Sequence, residues 1–61
     1  MSLRELASDL SVIETKIRGL RIVINLPITQ NRDLTVSEKE KVKTALAEIL
    51  TIINKHLSEL Q

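Results

Sequence analysis

Cysteine, phenylalanine, tyrosine and tryptophan are all absent from this chain of 61 residues, and proline, glycine, methionine and histidine occur once each. Each absence closes a route. Without cysteine there is no disulfide framework and no thiolate metal site, and one imidazole cannot supply a histidine cluster. Two of the usual aids to a very small domain are therefore missing, and oligomerisation is left. Without aromatic rings there is no platform for stacking bases, and any core must be aliphatic. A single glycine excludes a phosphate-cradling loop. No apolar run approaches the roughly 18 residues of a membrane-spanning helix, and no leader or lipidation pattern stands out. The expectation is a soluble, cytoplasmic protein that does not engage a membrane. Asp9, Glu14, Glu48 and Glu59 fall on different helices and faces, with no Ser, Cys or His arranged around them. Catalytic, cofactor and metal sites are not expected.

What is present is aliphatic. Leu, Ile and Val make up 22 of the 61 residues, well above the disordered range. A chain this short ordinarily buries only about 60% of the surface its unfolded form exposes. One domain is expected over residues 1–61, and it should need a partner.

The spacing predicts two helices. Ser2 and Glu5 stand at the positions of a capping box, with Met1 and Leu6 at the flanking staple positions. From there Leu3, Leu6, Leu10, Ile13, Ile17, Leu20 and Ile24 recur at alternating steps of three and four, the repeat of a packed helix. A strand over Leu20 to Leu26 competes, since apolar residues also alternate there and β-branched types favour it. Helix is preferred because a lone strand would have nothing to pair with. Pro27 disfavours helical conformation at Leu26, so the first helix is expected over about 3–25, with a loop over about 26–34. Thr35 and Glu38 form a second capping box and open a second helix over about 36–60. Leu26, Ile28 and Leu34 in the loop are expected to fold back over the end of the bundle, or else to offer an apolar tip to a partner.

On the second helix the apolar residues spread over roughly 160°, wider than one neighbour can cover. The predicted fold is therefore all-α, a two-helix antiparallel hairpin that dimerises into a four-helix bundle. Its expected interface residues are Leu6, Leu10, Ile13, Ile17 and Leu20 on the first helix. On the second they are Val42, Leu46, Ile49, Ile53, His56, Leu57 and Leu60. His56, inside the apolar arc, is expected to sit in that interface rather than to bind metal or switch with pH.

Charge is unevenly placed although the net value is only +1. Residues 16–43 carry seven cations against three carboxylates, and the rest carry two against five. Antiparallel pairing of two hairpins would set each basic loop end beside the other's acidic termini, so an antiparallel homodimer is predicted. Arg18, Arg21, Arg32, Lys39, Lys41 and Lys43 are the candidate contacts for an anionic partner. A second docking face is a stripe of small residues on the first helix, Ser8, Val12, Thr15, Gly19 and Val23.

Two functions follow. The first is a non-catalytic protein-interaction module, acting as adaptor, regulator or assembly subunit. The alternative is a regulatory bundle that binds RNA or DNA through basic helix faces.

Overall fold

The computed structural model describes residues 2–61, so Met1 and its staple position lie outside the described residues. Two antiparallel helices make up the fold: α1 spans Leu3–Thr29 and α2 spans Val36–Leu60. No strand occurs among the described residues, and Leu20 to Leu26 is helical. The hairpin measures 43 × 16 × 14 Å.

The caps are local and chemical. Thr35 Oγ1 accepts from the Glu38 amide at 3.1 Å, and the Glu38 carboxylate accepts from the Thr35 amide at 2.8 Å, completing the second box. The first box is only half made. Ser2 Oγ accepts from the Glu5 amide at 3.3 Å, but the Glu5 carboxylate instead accepts from Lys55 on the other helix. An inter-helix cation outcompetes the local amide.

The expected end of α1 near Asn25 is wrong: the helix runs through Pro27 to Thr29. A proline inside a helix forfeits one hydrogen bond and crowds the carbonyl four residues back. Here the ring lies only two residues from the helix end and is the one buried residue of α1, packed at the hairpin seam. The true terminator is Asn31. It takes the left-handed conformation at φ 50, its amide donates to the Ile28 carbonyl at 3.1 Å, and the Arg32 amide donates to the Pro27 carbonyl at 3.0 Å. That pair of bonds is a Schellman cap, in which asparagine replaces the more usual glycine. The loop is accordingly Gln30 to Thr35, shorter than expected.

The helices meet along a seven-residue repeat. On α1 the seam takes Leu6, Ile13, Leu20 and Val23, with Asp9 and Lys16 at the intervening positions and Pro27 at the end. On α2 it takes Val42, Ala45, Ile49 and Ile52, with Glu38 and His56 at its two ends. These are half-buried rather than buried. Among the described residues only Pro27 and His56 are buried, and no leucine, isoleucine or valine is. Two helices in contact make a line, and a line does not enclose a core. Leu34 is half-buried beneath the turn, but Leu26 and Ile28 remain exposed, so the expected apolar plug is made by Pro27 and Leu34 alone.

Candidate interaction surface

The seam divides the expected interface residues in two. Leu6, Ile13, Leu20, Val42, Ile49 and His56 pack between the helices. Leu10, Ile17, Leu46, Ile53, Leu57 and Leu60 do not, and each stays between 40% and 65% exposed. Leu3 and Leu50, outside the expected set, are open as well, at 76% and 57%.

Most of the open aliphatic residues lie on one side; Val12, Ile22, Leu26 and Val36 are exposed elsewhere. At about 100° per residue, Leu3, Leu10 and Ile17 sit a quarter turn beyond the seam of α1, and Leu46, Leu50, Ile53 and Leu57 sit a quarter turn beyond the seam of α2 in the same rotational sense. Because the helices run antiparallel, equal rotations about the two axes point to the same face of the hairpin. The opposite face is mostly polar, with Val12 and Leu26 as its exposed aliphatic residues. Ser8, Thr15 and Gly19 of α1 lie there with Thr44, Ala47 and Thr51 of α2, and Gly19 has nothing within 4 Å of an added methyl. Two shallow depressions occur on that face, each lined by a single helix: Ser8, Ser11, Val12, Thr15 and Lys16 on one, Glu40, Lys41, Thr44, Ala45 and Glu48 on the other.

Ion pairs close the seam along the polar face. Lys16 pairs with Glu48, and Lys55 pairs with Glu5 and, at 3.3 Å, with Asp9. Asp9 also accepts from His56 Nε2 at 2.7 Å. A carboxylate only accepts, so Nε2 carries the proton. The His56 bond, followed by the Lys55 ammonium, holds the Asp9 carboxyl below its ordinary range against the opposing effect of desolvation. His56 Nδ1 is buried without a hydrogen bond, 3.6 Å from a Glu59 oxygen. This cluster fixes register: Asp9 lies level with His56, and Lys16 with Glu48. Among the described residues no ion pair bridges the two helices across the apolar face.

The six candidate anion contacts do not share one surface. Arg32 is committed within the hairpin, donating to both Glu38 oxygens at 2.9 and 3.3 Å, to Gln30 at 2.6 Å and to the Asp33 carbonyl at 2.8 Å. That contact, with the Thr35 amide, lowers the Glu38 carboxyl to about 2. Lys43 stands 3.8 Å from Glu40. Arg21, Lys39 and Lys43 edge the loop half of the apolar face by their helical positions, Lys41 faces the polar side, and Arg18 points away from the seam. A nucleic-acid backbone would need them on one surface.

Among the described residues, no three His, Cys, Asp or Glu side chains are placed to hold a metal ion, and no helix is long and apolar enough to cross a membrane. Sequence reasoning missed Asp9 and Lys16 as seam residues. The signal was there in the pairing of acid with base at matched levels of an antiparallel hairpin. No protein-family model, no curated protein and no solved structure matches the chain.

Proposed function

We propose that this chain is a non-catalytic protein-interaction module, an adaptor, regulator or assembly subunit, that works as an antiparallel homodimer with its apolar face closed inside a four-helix bundle. One observation carries the reading: the surplus of surface. The hairpin exposes 4879 Å², whereas a compact protein of its 6.9 kDa mass would expose about 4,000 Å². The difference, roughly 900 Å², is close to the ~800 Å² that one partner contributes to a standard interface. Most of the exposed aliphatic residues lie on one side, while ion pairs span the seam on the other.

The charge-based ground for antiparallel pairing shifts. Glu5, Asp9 and Glu48 each pair with a lysine of their own hairpin, so among the acidic residues of the terminal half Glu14 and Glu59 are left to offer a partner. The cations of the apolar face take over that role. Pairing with like ends together would bring Arg21, Lys39 and Lys43 of both copies to one place with no counter-charge. Reversal separates them.

Light scattering with refractive-index detection over a concentration series tests the reading. The expected mass is twice 6.9 kDa. A monomer at every concentration overturns it.

A further inference from the structure

Resting on that homodimer, we propose that its two-fold axis lies not at the hairpin's midpoint but toward the termini, level with Leu10, so that two hairpins overlap by their terminal halves and both loop ends project free. The warrant is a symmetry in the exposed apolar residues. A two-fold interface is self-complementary: a residue a given distance on one side of the axis meets its mirror position in the other copy. When hairpins face each other reversed, α1 lies against α1 and α2 against α2.

On α1 the open residues of this face in the terminal part of the helix are Leu3, Leu10 and Ile17, exposed by 76%, 51% and 41%, and Ile28, exposed by 69%, lies apart from them at the loop end. The first three are evenly spaced, and Leu10 is their centre. With the axis there, Leu10 meets the partner's Leu10, and Leu3 meets the partner's Ile17. On α2 the open residues Leu50, Ile53, Leu57 and Leu60 are symmetric about Lys55. Leu50 then meets the partner's Leu60, and Ile53 meets the partner's Leu57. The two centres were found separately, one on each helix. The hairpin's own contacts place them at the same height, because Asp9 is level with His56. One axis therefore serves both helices.

The midpoint alternative fails on the same positions. Centring α2 on Glu48 sets Ile53 against the partner's Lys43 and Leu57 against the partner's Lys39, covering cations with leucine and isoleucine and no counter-charge. With the axis level with Leu10, none of the partner's described residues 2–61 stands opposite Arg21, Lys39 or Lys43, so no leucine or isoleucine among them covers these cations. Leu46 stays outside the overlap as well. The exposed parts of the seven matched side chains amount to roughly 700 Å² per copy, inside the range of about 1,200–2,000 Å² total for a specific interface.

Because the chain has no cysteine, single substitutions report contacts without background. Leu10→Cys is expected to form a disulfide-linked dimer on mild oxidation, while Ile17→Cys alone is not, and Leu3→Cys combined with Ile17→Cys is expected to link two copies twice. X-ray scattering from the unaltered protein gives an independent length. From the 43 Å hairpin and ~1.5 Å per residue, the offset dimer spans about 60 Å and a midpoint dimer about 45 Å. Bridging through Ile17→Cys alone, or the shorter length, overturns the offset. A dimer in which neither single variant bridges overturns the reversed orientation. A monomeric mass overturns instead the homodimer on which the offset rests.

Discussion

Leu50→Asp separates a self-associating hairpin from one that stands alone. Leu50 points away from the seam and is 57% exposed. In a free hairpin the substitution touches nothing, so its effect should stay within about 0.5 kcal/mol plus a small difference in helix propensity. In the dimer the exposed part of the side chain, roughly 100 Å², is covered, and its loss costs about 2.5 kcal/mol per copy at ~25 cal/mol per Å². Each dimer contains two copies, so the penalty is about 5 kcal/mol before any cost of bringing two carboxylates together. At about 1.4 kcal/mol per tenfold, the dissociation constant rises by more than three powers of ten. The hairpin has no buried leucine, isoleucine or valine of its own, so dissociation and loss of helicity should appear together, with a melting temperature that depends on concentration. Circular dichroism and light scattering over one concentration series read both. Ser58→Asp, on the polar side of the same helix, is the control. If Leu50→Asp shifts mass and melting temperature no more than Ser58→Asp does, the apolar face is not an interface and the reasoning fails.

Three further outcomes follow from local geometry. Gly19→Ala should stabilise the protein by about 1 kcal/mol, since Gly19 sits inside α1 with nothing within 4 Å of an added methyl; unchanged denaturant midpoints would refute this. Asn31→Val should cost about 1–2 kcal/mol, because φ 50 is hostile to a β-branched residue, whereas Asn31→Gly should cost nothing, both read by thermal unfolding. The Glu38 carboxyl is lowered from 4.5 to about 2 by Arg32 and the Thr35 amide, so its folded value lies below its unfolded one. Its stabilisation is complete above about pH 4.5 and disappears as the pH falls toward about 2. The stability gap between the wild type and Glu38→Gln should close over that window; a gap constant from pH 6 to 2 would show that the Arg32 contact does not form.

The two helices were legible because alternating steps of three and four, with Thr35 and Glu38 as a box, state their structure locally. The end of α1 was not, because the rule for the residue before proline describes backbone preference alone. At Pro27 that preference is opposed by burial of the ring in the seam, and Asn31 supplies the cap that ends the helix two residues later. The surface was legible as a quantity and not as a position. The apolar arc of α2 announced two contacts, but two seven-residue rows one step apart, Ala45, Ile49, Ile52 and His56 beside Leu46, Leu50, Ile53 and Leu57, both satisfy the pattern. Apolarity cannot choose between them, since the more apolar row is the one left open. The choice is made by the polar residues: Asp9 needs His56, and Lys16 needs Glu48, and these pairs form only when the first row faces α1. In a hairpin this thin, charge selects which face turns inward and leaves the greasier one open.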